Sequence, residues 1–206
     1  MRVIFHGYRD WALKILENLL KEKREWKIVN KDKDAVHLYY GWSWMLPKEV
    51  YEKNLCLILH LSDLPKFRGG SPLQHQILAG LTRGAFSICR VESEVDSGDI
   101  YAKRRFSLEG SLDEIFERIV KKGTEATIKM LDDLARGETK PKPQNEKKAT
   151  YFKRRKPEES ELKLKDFRNK SAEELYNIIR CLADPYPNAF IVCKDGKKLY
   201  FTGAHL

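Results

Sequence analysis

Two places in this 206-residue chain carry residues of a type and spacing able to move a proton. His60 stands at the end of the most apolar run in the sequence, residues 55–61 (LCLILHL), and a basic loop bounded by proline and glycine follows it at residues 62–72 (SDLPKFRGGSP). The second place is residues 95–99 (VDSGD), which offers Asp96 and Asp99. A carboxylate beside an imidazole orients the ring and gives a proton-transfer couple. Each feature also has a bland reading. A lone histidine at a strand end is commonly a satisfied, half-buried side chain, and Asp, Ser and Gly form turns for purely local reasons. The sequence does not show that the two touch.

Elements must place these residues. Residues 2–6 read as a short buried strand, and Gly7 begins a turn into a helix whose apolar face is Ala12, Ile15, Leu16 and Leu19. Residues 26–29 and 35–40 read as two more strands, 47–53 as a short helix and 55–61 as a strand. An apolar run without alternation suits a parallel sheet covered on both faces. Strands interleaved with helices in the first sixty residues predict an α/β fold, a Rossmann-like, doubly wound and mostly parallel sheet. In such a sheet ligands sit beyond the carboxyl ends of the strands, where His60 falls.

Further along, residues 73–78 read as a helix, 85–91 as a strand and 100–106 as an antiparallel edge strand. Ser111 with Glu114 forms a capping box, opening a helix that ends near Ala135 before Arg136-Gly137. A first domain is expected over residues 1–137, and a linker with a small subdomain over 138–206. Residues 140–165 have the charged, proline-containing composition of a linker, with an aromatic island at Tyr151-Phe152. Ser171 with Glu174 opens a last helix to about Leu182, and residues 189–201 read as a hairpin around Asp195-Gly196.

Composition narrows the function. Lys and Arg total 39 against 30 Asp and Glu, a net charge of +9, which favours a polyanionic or phosphorylated partner. The four cysteines, Cys56, Cys89, Cys181 and Cys193, lie far apart with no histidine at ligand spacing, so neither a zinc site nor a disulfide scaffold is expected. The first residues (MRVIFHGYRDW) do not read as a signal or transit peptide, and no apolar stretch approaches the roughly 20 residues of a membrane helix. A reducing cytoplasm is the expected compartment. Gly7 lacks the rest of a G-x-G-x-x-G turn, which disfavours an NAD-type site. The run 153–156 (KRRK) can neutralise a pyrophosphate or a nucleic-acid backbone, or form a solvated linker face.

Two motifs carry a family resemblance. Residues 59–80 (LHLSDLPKFRGGSPLQHQILAG) are similar to the H-x-S-x-L-P-x-x-R-G-x-x-P loop and helix of formyltransferases that use N10-formyltetrahydrofolate. Residues 94–101 (EVDSGDIY) are similar to that family's D-x-G-D/P segment. Weaker matches extend it over nearly the whole chain: HGYRDWA (6–12), YYGWSWMLP (39–47), ATYFKRRKPEE (149–159) and IRCLADPYPNAF (179–190). The last two most resemble small nucleotide-sugar formyltransferases, the type found on the pseudaminic acid route.

The resemblance implies a formyltransferase fold and a one-carbon group transfer with N10-formyltetrahydrofolate as co-substrate and no metal. It implies that His60 donates to the formyl oxygen and that Asp96, rather than Asp99, orients His60 and helps accept the amine proton. The pterin is expected on main-chain groups from Val91 through Glu94 and Val95 to Asp96. Candidate substrate contacts are Trp42, Ser43, Lys66, Arg68, Arg154 and Arg155. One departure stands out: where the family usually has an asparagine, two residues before the histidine, this chain has Ile58. Losing an oxyanion donor costs on the order of 10²–10³ in rate, so another donor must replace it or turnover is slow.

The expected acceptor is the amine of a nucleotide-linked amino sugar, with UDP-4-amino-4,6-dideoxy-N-acetyl-altrosamine as the leading candidate. A methionyl-tRNA formyltransferase is the rival within the family. It usually carries a C-terminal barrel of domain size, whereas only about 40 residues follow Asp166 here. Two rivals come from other classes: a nucleic-acid-binding module and a catalytically silent folate-binding protein. A homodimer is expected to be possible, because the C-terminal unit is too small to stand alone and must dock on something.

Overall fold

The run 55–61 forms β4 (Cys56–His60), a central strand of a six-stranded sheet in a computed structural model that describes residues 1–206. Before it come β1 (Arg2–Gly7), α1 (Asp10–Leu20), β2 (Lys27–Ile28), β3 (Val36–Tyr40) and α2 (Lys48–Lys53). After it come β5 (Arg68–Gly69), α3 (Pro72–Leu78), β6 (Arg83–Arg90), β7 (Ile100–Ser107) and α4 (Leu112–Ala135). The chain ends through β8 (Tyr151–Phe152), α5 (Leu164–Asn169), α6 (Ala172–Cys181) and the hairpin β9 (Ala189–Val192) and β10 (Lys198–Phe201).

The sheet runs β2-β1-β3-β4-β6-β7, with the first three pairings parallel and the last two antiparallel. It is the α/β, parallel-dominated sheet expected from the sequence. β1 connects to β2 on one side while β3 leads to β4 on the other, so a topological switch point lies between β1 and β3. The loops leaving those two strands diverge there and leave a crevice.

Side chains alternate across β4 because successive residues face opposite sides of a strand. Leu57, Leu59 and Leu61 join the apolar cluster with Ile15 and Leu19 of α1 and Ile119 and Ala126 of α4. Ile58 and His60 face the other way, where the site lies. Two polar groups within the core are paired: Tyr40 OH lies 2.8 Å from Thr127 Oγ1, and Trp26 Nε1 donates to Asp132 at 2.8 Å.

Both capping boxes form. The main-chain N–H of Glu114 donates to Ser111 Oγ at 3.2 Å and that of Ser111 to the Glu114 carboxylate at 2.7 Å; Ser171 and Glu174 repeat the pattern with the same distances. Each such cap contributes about 1 kcal/mol.

The C-terminal elements dock on the rest of the same chain. Ile179, Cys181, Leu182 and Ala189 belong to the same apolar cluster as the sheet and α1, and Arg180 donates to the carbonyls of Leu108 and Gly110 at 2.6 and 3.0 Å. The stretch between α4 and α5 is more than a solvated linker. Lys142 and Ile100 exchange main-chain hydrogen bonds at 2.8 and 3.0 Å, and β8 pairs in parallel with β5. No helix is long and apolar enough to cross a membrane.

Candidate active site

β4 carries His60 to the crevice, and the β6–β7 loop brings Asp96 to meet it. Nδ1 of His60 lies 3.3 Å from Oδ2 of Asp96, with both side chains largely shielded from solvent. The other ring nitrogen, Nε2, is 2.8 Å from the carbonyl oxygen of Phe67. That oxygen can only accept, so Nε2 carries a proton and Nδ1 faces the carboxylate. The main-chain N–H of Gly69 also donates to Asp96 Oδ2, at 2.9 Å.

The loops around the pair are held in uncommon backbone conformations. The non-glycine residues with positive φ are Phe67 (58°), Ser71 (53°) and Asp96 (54°), and all three border this site. Such conformations persist where the surroundings over-determine them, and they cluster at functional sites. Gly70 is required by close approach: a Cβ there would come within 2.3 and 2.4 Å of the main-chain Cα and N of Arg154. At Gly69, where φ is 94°, a Cβ would meet the Phe152 carbonyl oxygen at 2.3 Å. These two glycines let β8 lie against β5 and bring the basic run 153–156 to the crevice.

Two cavities meet at His60. The first, about 290 Å³, is lined by Arg9, Arg154, Arg155 and Lys156 with no carboxylate, and Pro185, Tyr186 and Pro187 wall its far side. The second, about 340 Å³, is lined by Trp44, Met45, Leu46 and Tyr51 on one side and by residues 90–96 on the other. Trp42, Ser43, Ile58, His60, Gly69, Gly70 and Arg154 line both. In the second cavity the main-chain groups of Glu92, Ser93 and Val95 make no hydrogen bond within the chain, so a ligand can pair with them. Trp42 Nε1 is buried without a hydrogen-bond partner beside the junction.

The residues singled out in the sequence are distributed over these cavities and beyond them. Val91, Glu94, Val95 and Asp96 line the second cavity, Trp42 and Ser43 both, and Arg154 and Arg155 the first. Two expectations are corrected. Arg68 does not face a substrate: it is fully buried, and its guanidinium is engaged by Glu146, Gln144 and Tyr151. Lys66 lines a separate depression with Asp63, Phe67, Arg83 and Arg105. Lys156, which the sequence reading named only within the basic run 153–156, lines the first cavity, and so does Arg9, which that reading did not single out. Arg9 had a signal, since it stands two residues beyond the first strand, at the switch point.

Beside Trp42 lies an aromatic stack. The ring of His6 stacks on Tyr39 (centroids 4.3 Å apart) and on His37 (5.2 Å), its Nε2 is 3.0 Å from His37 Nδ1, and it meets Trp42 edge-on. Desolvation holds both histidines below the usual imidazole range, and for His6 the neighbouring His37 adds to the effect.

The formyl transferase family model matches residues 14–131. The methionyl-tRNA formyltransferase of Sulfurihydrogenibium sp. is 32% identical over 172 residues, covering 81% of this chain and 53% of that protein. The chain thus spans about half the length of the curated relatives it matches. Among solved structures, one described as a methionyl-tRNA formyltransferase from Clostridium thermocellum aligns with a TM-score of 0.78 and 31% identity, covering 97% of this chain and 96% of that one. A 4-N formyltransferase from Francisella tularensis shares the fold with a TM-score of 0.78, at 16% identity over 97% of this chain and 95% of that one. This chain belongs to the formyl transferase family.

Proposed function

We propose that this chain transfers a formyl group from N10-formyltetrahydrofolate to the amine of a small anionic acceptor, a nucleotide-linked amino sugar. The observation that carries this reading is the 3.3 Å approach of His60 and Asp96, two groups able to pass a proton, at the junction of two unlike cavities. The second cavity suits the pterin: an apolar wall of Met45, Leu46 and Tyr51 faces main-chain groups of Glu92, Ser93 and Val95 that have no partner in the chain. The first suits a diphosphate, with Arg9, Arg154, Arg155 and Lys156 on its walls and no carboxylate among them.

The formyl donor supplies an electrophilic carbonyl carbon, which bonds to the amine nitrogen as its bond to N10 breaks. The chain's residues handle the proton and the charge. As the amine attacks, its proton is taken up between Nδ1 of His60 and Oδ2 of Asp96, and the same pair returns it to the departing nitrogen. The Phe67 carbonyl and the Gly69 N–H keep the two side chains in register for this exchange. Ile58 offers no donor for the developing oxyanion. Trp42 lines the shared wall and its indole N–H has no partner in the chain, so a turn of that ring toward the crevice would let it take that role.

A second reading is favoured by one observation: the relatives at 31–32% identity are methionyl-tRNA formyltransferases, and one solved chain of that description has nearly the same span as this one. A tRNA 3′ end also brings phosphates to a cationic cavity. Release of tetrahydrofolate, measured with a panel of nucleotide 4-amino sugars and with methionyl-tRNA side by side, separates the readings. The sugar reading predicts release with an amino sugar at a kcat/KM above that for methionyl-tRNA. The reverse order supports tRNA, and no release with either, combined with tight RNA binding, overturns the transferase reading.

A further inference from the structure

Asp96 is held in the left-handed region at φ 54°, a conformation that costs roughly 1–2 kcal/mol for an L-residue. Two neighbours fix it there. Gly69 N–H holds the carboxylate, and the side-chain amide of Gln144 holds the main chain. Both hydrogens of Gln144 Nε2 are used, one on the Asp96 carbonyl at 2.8 Å and one on the Gly98 carbonyl at 2.7 Å. Its Oε1 accepts from Arg68 Nη2 at 2.9 Å and Nε at 3.3 Å. This fixes the amide's orientation, because a flipped amide would put N–H groups against a guanidinium and an oxygen against two carbonyls. Arg68 is in turn held by both carboxylate oxygens of Glu146, at 2.6 and 2.8 Å, and by Tyr151 OH at 2.6 Å.

We propose that Gln144 is a positioning residue for the His60–Asp96 couple. The inference rests on the reading of that couple as the transfer centre, and it gives a function to a residue in a stretch of linker composition. Gln144 touches no reacting atom. It sets the turn from which the Asp96 carboxylate reaches His60 Nδ1, and a shift of about 1 Å in such a relation costs on the order of 10²-fold in rate. A glutamate would keep the pairing with Arg68 and lose both donations to the loop. A methionine would lose every hydrogen bond without adding charge.

The test compares Q144E and Q144M with wild type and with D96N. Two readouts are taken: the kcat and KM of formyl transfer, and the NMR position of the His60 ring Cε1–H in ligand-free protein, assigned by its loss in H60A. The expected result is a kcat lower by about 10- to 100-fold, an acceptor KM changed by less than about threefold, and a His60 resonance displaced toward its position in D96N. Melting curves identify which variants are folded. E146Q, a change at the exposed end of the chain of contacts, loosens the same amide from the surface if neither Gln144 variant folds. A His60 resonance at the wild-type position in every folded variant overturns the proposal. If wild type transfers no formyl group to any acceptor, the transfer reading fails while the NMR comparison still decides whether Gln144 positions the pair.

Discussion

Oδ2 of Asp96 lies 3.3 Å from Nδ1 of His60, although one residue ends a central strand and the other sits on the loop between two later strands. The contact depends on a reversal of direction. β6 runs antiparallel to β4 and carries the chain back along it, and the loop after Arg90 then returns to the His60 end. The rest of the site is assembled around that contact.

The shared wall of the two cavities predicts opposite outcomes for two substitutions. Trp42→Phe removes the unpaired N–H and should lower kcat by on the order of 10- to 100-fold with little change in KM. Ile58→Asn adds a donor two residues before His60 on the same face and should raise kcat, or restore it in the Trp42→Phe background. Steady-state kinetics of the two single variants and the double variant decide this; additive, unrelated effects would remove Trp42 from the role.

The cationic cavity predicts a binding effect. Arg154 lines both cavities, and no hydrogen bond or ion pair of its side chain competes for the charge. Arg154→Gln should raise the KM of a diphosphate-bearing acceptor by about tenfold, near 1.4 kcal/mol, and leave kcat nearly unchanged. The penalty should shrink as salt screens the contact. An unchanged KM would move the phosphates elsewhere.

The histidine stack predicts a pH dependence of stability. His6 and His37 have folded-state pKa values below the ordinary value of about 6.5. Below that value the unfolded chain binds protons that the folded chain resists, so stability rises with pH through this window and is lost as pH falls through it. Thermal melting between about pH 7.5 and pH 5 should show the decline, and His37→Gln should flatten it. An equal slope in that variant would contradict the assignment.

Thiol chemistry offers an independent check of the packing. Burial pushes Cys56 up to about 11 and Cys181 up to about 12, and Cys89 is raised further, whereas Cys193 is exposed in the C-terminal hairpin region. Of the four cysteines, one should react promptly with a thiol reagent in the native protein and all four in denaturant. Fast reaction of Cys56 or Cys89 would place the sheet wrongly.

Much of this was legible in the sequence because it is written locally. The unalternating run ending at His60, the two Ser-x-x-Glu caps and the Asp195-Gly196 hairpin each carry their own signal. What stayed hidden depends on distant partners. β5 and β8 have two residues each, too few to show a period, and they pair across a long stretch of chain. Arg68 read as a substrate contact because it sits in a basic loop. Its burial follows from Glu146, 78 positions away, which lies in a segment whose composition gives no hint of packing. Gln144 is invisible for the same reason: one amide among charged residues gains meaning only when a loop turns its carbonyls toward it.

The most direct test of the central claim is acceptor-dependent release of tetrahydrofolate by wild type, His60→Ala and Asp96→Asn, with melting curves to establish that all three are folded. The account predicts release by wild type only when an amine acceptor is present, and a loss of about 10²- to 10⁴-fold in each variant with the fold intact. Release at near-normal rates by a folded His60→Ala or Asp96→Asn protein would contradict it.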